Sequence, residues 1–256
     1  MTTFFVEQGA HRWHVNQWGR GPHLIVAWHG FRQNGRAFAK LGMHLPEGYS
    51  LCAPDLPFHG KTDWQAPDYQ PEDLWVLTAN LMHRFEAKMF TLAGFSLGAQ
   101  LSVGMALNRP QAIRQLWLIA PDTPLTKWGW FTYHLPYSWR CSLQRIFSRP
   151  GRLLHWADRL YRLRLIDRFT LTFLHRTMAN SADRQQLFGT WRARATFPFS
   201  FRQLRQVSIP VTIYLGRRDP LVPYRRISRR LRADISVKIL DIGHEIPTHF
   251  FFPSFH

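Results

Sequence analysis

Acidic residues are scarce in this chain. Asp and Glu together number 16 against 33 Lys and Arg in 256 residues, a formal net charge of +17. Such a balance sets up a positive field and favours anionic partners. Cysteine is nearly absent: Cys52 sits in an apolar stretch and Cys141 lies far from it. Two thiols exclude a disulfide framework and fit a reducing, cytoplasmic compartment. Neither has metal-ligand spacing, and Cys52 reads as a buried structural thiol. No run of 18 uninterrupted apolar residues occurs, which argues against a membrane span and for a globular protein. The start, MTTFFVEQGAHRW, lacks the basic and apolar regions of a signal peptide. Internal repeats and low-complexity linkers are also missing, so solenoid and fibrous architectures drop out.

What is present is an alternation of short apolar runs with helical patterns, the mark of a mostly parallel sheet covered by helices. Strands are predicted at His23 to His29, Ser50 to Leu56, Met89 to Phe95, Gln115 to Ala120, Ile209 to Leu215 and Val237 to Ile242. Pro71 suits a helix first turn and is followed by Leu74, Leu77, Leu81 and Phe85 at helical spacing. From Asp122 to about Arg205 the alternation stops. This segment holds 15 basic and four acidic residues, almost all of the bases arginine, and it is rich in aromatics. An α/β core over 1–121 and 206–256, interrupted by a helical, arginine-rich lid over 122–205, is therefore expected.

The pentapeptide Gly94-Phe95-Ser96-Leu97-Gly98 ends the third strand. A G-x-S-x-G pattern there turns a strand into a helix within a few residues, with the serine backbone strained and the glycines removing Cβ atoms that would collide. The turn lifts Ser96 Oγ clear of the sheet and aims a helix N-terminus at it. A serine hydroxyl needs a base, and the base needs an orienting acid. Asp219 follows the strand IPVTIYL and His244 follows VKILDI, each just past a strand end. An oxyanion hole needs two backbone N–H groups. Leu97, directly after the serine, supplies one, and Phe31 in the loop Trp28-His29-Gly30-Phe31 the other.

With these residues in this order the chain resembles the α/β-hydrolase superfamily. The marks are His29-Gly30-Phe31, Asp55 to Thr62, the Ser96 elbow, Gly216 to Pro223 and Gly243-His244. The resemblance implies Ser96, Asp219 and His244 as a catalytic triad, Phe31 and Leu97 as the oxyanion hole, and no metal or organic cofactor. Two departures stand out. Phe58 replaces the usual glycine of the D-x-x-G-x-G-x-S loop, and only twelve residues follow His244, which leaves little room for a closing helix.

Simpler readings compete at several positions. Asp219 suits a turn cap, and Asp122 is a rival triad acid because some relatives recruit it after the preceding strand. His29, His59 and Asp55 read as loop braces. Arg225, Arg226, Arg229 and Arg230 read as a solvated face. In Leu153 to Met178, apolar residues alternate with Arg159, Arg162, Arg164 and Arg168; core packing competes there with anion recognition or contact with an anionic membrane. Lid aromatics such as Trp128, Trp130, Phe131, Tyr133, Trp139 and Trp156 suggest an apolar acyl pocket. The first functional reading is hydrolysis of a small-molecule carboxylic ester. An acyl thioester, carried on coenzyme A or an acyl carrier protein, is the second. A non-catalytic scaffold that binds an acidic partner through the lid is the alternative of another class. Nucleic acid is not expected, since no recognition motif accompanies the charge, and no oligomeric state follows from the sequence.

Overall fold

Among the described residues seven of the eight strands run in one direction, and their order along the sheet puts the candidate site loops side by side. The computed structural model describes residues 1–125, 150–197, 199–231 and 233–247. Trp128, Trp130, Phe131, Tyr133, Trp139, Cys141 and the tail after Pro247 lie outside the described residues. The strands are β1 Thr2–Gln8, β2 His11–Gly19, β3 His23–Trp28, β4 Tyr49–Pro54, β5 Phe90–Phe95, β6 Ile113–Ile119, β7 Val211–Gly216 and β8 Ser236–Leu240. They are ordered β1-β2-β4-β3-β5-β6-β7-β8. From β4 onward every neighbouring pair is parallel, while β1 with β2 and β2 with β4 are antiparallel.

The central strands form because both faces are covered. Leu24 to Trp28 of β3 and all six residues of β5 are buried, the continuous apolar pattern of a parallel sheet between helix layers. Each fully buried aliphatic side chain is worth about 1.5–3 kcal/mol. The helices are α1 Ala39–Met43, α2 Pro71–Arg84, α3 Leu97–Asn108, α4 Pro150–Arg162, α5 Arg168–Ala179, α6 Ser181–Thr196, α7 Phe201–Leu204 and α8 Tyr224–Ser228. Helix α2 starts at Pro71, where Gln70 N–H donates to the Asp73 carboxylate at 2.7 Å.

The chain leaves β3 toward β4 on one side, then crosses to β5 on the other. Such a reversal opens a crevice at the carboxyl ends of the two strands, the place where open α/β sheets bind ligands. Here those ends carry the Phe31 loop and Ser96.

The N-terminal hairpin of β1 and β2 had no clear signature in the sequence. In β2, His14, Asn16 and Gln17 are buried polar residues that break the apolar pattern; His14 bonds to Asp55, and Asn16 Nδ2 donates to Asp55 and to Ala53 O. Between β6 and β7, the stretch Leu153 to Met178 of the expected helical insertion falls in two helices, α4 and α5, with Arg164 between them at a left-handed φ of 58°. The end of this insertion joins the main core: Phe197, Phe199 and Leu204 are buried there. The arginines read as a solvated face lie on the short α8 and the turn after it, with Ile227 buried and Arg225, Arg226, Arg229 and Arg230 exposed.

Candidate active site

Ser96 lies between β5 and α3 with φ 52° and ψ −110°, a strained backbone for a residue with a side chain. The turn is pinned by Ser96 N–H to Ile119 O at 2.9 Å and Asp122 N–H to Ser96 O at 3.2 Å. Close approach explains the flanking glycines. A Cβ on Gly98 would stand 1.9 Å from Trp28 O, and one on Gly94 would stand 2.3 Å from Gly98 O. The elbow therefore packs backbone against backbone on the end of β3. Leu97 is the first residue of α3, so its N–H has no acceptor within the helix. Among the described residues neither it nor Phe31 N–H donates to another group.

Asp219 and His244 come together because the loops after β7 and β8 are bonded to each other. Arg217 N–H donates to Leu240 O at 2.7 Å and Arg218 N–H to Ile242 O at 3.0 Å. Gly216 permits this, since a Cβ there would stand 2.5 Å from Gly243 O. His244 Nδ1 donates to Asp219 Oδ2 at 2.7 Å, with the aspartate side chain 0% exposed. Asp219 Oδ1 accepts from Leu221 N–H at 2.8 Å and Val222 N–H at 3.0 Å. Turn cap and partner of histidine are thus both true of this carboxylate, one oxygen for each. The His244 ring packs against Phe95, centroids 4.9 Å apart, which sets the imidazole beside the residue preceding Ser96. No hydrogen bond links Ser96 Oγ to His244 among the described residues; in ligand-free sites such bonds commonly tighten only when substrate arrives. The rival acid, Asp122, is engaged elsewhere: Arg194 of α6 pairs with it at 2.7 Å.

The bracing residues form a buried network under the site. Asp55 takes Gly35 N–H at 2.7 Å and Asn16 Nδ2 at 3.1 Å on one oxygen. Its other oxygen takes His14 Nδ1 and Lys61 N–H, each at 2.8 Å. His29 Nδ1 donates to Gly30 O at 2.8 Å and its Nε2 accepts from Leu56 N–H at 2.9 Å, so the ring is neutral and tied at both ends. Burial, aided by nearby His59, holds its pKa well below the ordinary value. Burial likewise lowers His59 to about 4. The Cys52 thiol is pushed up to about 12 by burial, consistent with an inert structural role.

Phe58, which stands where a glycine was expected, adopts the glycine conformation anyway, with φ 66°. Its ring lies on Gly189 of α6, where an added Cβ would be 2.1 Å from the ring, and its carbonyl accepts from Gln186 Nε2 at 3.2 Å. Docking on the insertion thus compensates for the strain. Arg32, next to Phe31, repeats the device: its φ is 61°, and its guanidinium donates to Thr177 Oγ1 at 3.2 Å and Asp183 Oδ2 at 3.1 Å. Gln100, four residues after Ser96, holds Phe197 O at 2.6 Å. Sequence reasoning missed Arg32, Gln100 and Gly189 as site supports, since each meets a partner far along the chain. Trp156, expected among lid aromatics, is 57% exposed on α4.

The sheet order, the crevice at its reversal and a strained serine elbow beside a histidine–aspartate pair define one class, the α/β hydrolases. Comparison with known sequences agrees: the family model described as alpha/beta hydrolase fold matches residues 23–247, and the chain belongs to that family. It is 24% identical to the uncharacterized hydrolase YugF of Bacillus subtilis (strain 168), over 95% of this chain and 91% of that protein. It is 26% identical to the pimeloyl-[acyl-carrier protein] methyl ester esterase of Nitrosomonas europaea, over 82% of each. Among solved structures it is similar to the thioesterase domain from the curacin biosynthetic pathway, with TM-score 0.67, 19% identity, and 95% and 94% of the two chains covered. These relatives support an enzyme of the hydrolase class. No helix among the described residues is long and apolar enough to cross a membrane.

Proposed function

We propose that the protein is a serine hydrolase that cleaves a carboxylic ester through an acyl-enzyme. The observation that carries this is the His244–Asp219 hydrogen bond of 2.7 Å beside the strained Ser96 elbow. Ser96 Oγ attacks the ester carbonyl while His244 takes its proton; Asp219 holds the imidazole and stabilises its cation. The carbonyl oxygen becomes an oxyanion that accepts hydrogen bonds from the Phe31 and Leu97 N–H groups, each donor contributing on the order of 100- to 1000-fold in rate. The carbon–oxygen bond to the leaving group breaks and His244 gives that group its proton. Water, deprotonated by His244, then opens the acyl-enzyme, releasing the acid and restoring Ser96. These steps call on no metal or organic cofactor. A serine at the elbow also sets this chain apart from branches of the fold that place an acid there.

In this reading residues 122–205 are a lid over the crevice, closing an apolar acyl site. An acyl thioester is the second reading, since a thioesterase domain shares the fold and one relative acts on an acyl-carrier-protein ester. A fluorophosphonate probe tests the chemistry: it labels wild type and leaves Ser96→Ala unlabelled. A folded wild type that takes no label defeats the proposal in favour of a non-catalytic scaffold. Aryl esters and acyl thioesters of graded chain length then rank the two substrates by kcat/KM.

A further inference from the structure

The insertion carries an apolar tip for which the proposed chemistry has no use. Helix α4 stops where Arg164 turns left-handed, with Leu165 N–H donating to Leu160 O and Arg164 N–H to Tyr161 O, both at 2.9 Å. This is the bonding of a Schellman stop, in which the residue after the turn ordinarily folds its apolar side chain back onto the helix. Here Leu163 and Leu165 instead project, 62% and 67% exposed, and Phe169 at the start of α5 is 68% exposed. Trp156 on α4 lies out with them.

Arginines are interleaved with these side chains. Arg152, Arg159, Arg162, Arg164 and Arg168 are all exposed, and Arg159 lies over the Trp156 ring at 5.7 Å. Both acids of the segment are occupied: Asp158 accepts from His175 at 2.9 Å, and Asp167 Oδ1 caps α5 through Thr170 N–H at 2.7 Å. The tip therefore presents exposed apolar side chains interleaved along the chain with exposed arginines. A second copy of the same tip would bring like charge against like. An acidic protein would satisfy the arginines but offers no apolar layer for the leucines and Phe169. An anionic bilayer meets both demands, with lipid phosphates pairing the arginines and the acyl boundary receiving the apolar side chains.

We propose that residues 156–169 dock this protein on an anionic lipid surface, as a peripheral contact made by the tip of the α4–α5 hairpin. The test is co-sedimentation of the full chain with vesicles of phosphatidylcholine alone or with roughly 30% phosphatidylglycerol. Wild type is expected to bind the anionic vesicles at least about tenfold more tightly. Leu163→Ser/Leu165→Ser and Arg162→Gln/Arg164→Gln should each weaken that binding by about tenfold or more, because apolar and charged contacts act together. Their thermal midpoints and fluorophosphonate labelling should match wild type, since all four side chains are solvent-exposed.

Wild type that stays in the supernatant overturns the proposal. So does binding that the leucine pair leaves unchanged, which would mean attraction by overall charge alone. A vesicle-indifferent dimer dissolved by the leucine changes, or saturable binding to an acidic carrier protein in place of vesicles, assigns the tip to another occupant. Binding is read without catalysis, so the result stands apart from the outcome of the Ser96 experiment.

Discussion

At the scale of single residues, Asp219 divides its oxygens between two tasks, and the division is testable. Oδ2 holds His244 and Oδ1 accepts two backbone N–H groups of the following turn. Asp219→Asn keeps a neutral acceptor for the turn but removes the charge that fixes the imidazole, so kcat should fall by about 10⁴ with little change in unfolding midpoint. Asp219→Ala should lose a similar rate and, in addition, about 1–2 kcal/mol of stability from the abandoned N–H groups, read by urea denaturation. Equal stability for the two variants would mean that the turn does not need the carboxylate. Equal rates to wild type would remove Asp219 from the mechanism and return Asp122 as a contender.

At the scale of elements, the insertion is fastened to the loops that line the crevice. Phe58 rests on α6, Asp122 pairs with Arg194 of α6, and Arg32 bridges to α5 and α6. Arg32 adjoins Phe31, so the pair Arg32–Asp183 transmits the position of α6 to a proposed oxyanion donor. The pair is about a third exposed on each side, and screening keeps its direct contribution to stability under about 1 kcal/mol. Its effect should appear in catalysis instead. Arg32→Ala and Asp183→Ala should each lower kcat by about tenfold with KM nearly unchanged, and the double variant should be little worse than either, a coupling of about 1.4 kcal/mol. Additive losses would show that the two side chains act separately.

At the scale of the whole molecule, acid sensitivity is built into the core under the site. His59 is buried with its pKa lowered from 6.5 to about 4, and His29 is lowered in the same direction. Below pH 6.5 the unfolded chain takes up protons that the folded chain refuses. Stability is therefore complete above 6.5 and is lost as pH falls toward 4, by roughly 3 kcal/mol from His59 alone. Urea midpoints between pH 7.5 and 4.5 should fall accordingly, and His59→Gln should flatten the slope. A midpoint independent of pH over that range would contradict the buried neutral imidazoles.

Much of this protein could be read along the chain because the decisive signals are local. The elbow needs small residues within two positions of Ser96, and apolar runs of five or six residues mark the buried parallel strands. The fold class was legible for that reason, and the loops bearing Asp219 and His244, the proposed partners of Ser96, follow their strands directly. Tertiary structure alone decided which acid meets His244, since Asp219 and Asp122 differ only in what the sheet order and α6 bring beside them. It also decided that Phe58 can stand in the left-handed conformation, because Gly189 lies 131 positions away and no local pattern announces it. The β1–β2 hairpin stayed hidden for the same reason: His14 and Asn16 interrupt its apolar pattern, and the Asp55 that receives them is 41 and 39 positions away. Backbone turns and burial patterns are written in neighbouring residues, whereas pairings of polar groups across the fold exist only once the sheet has set distant segments together.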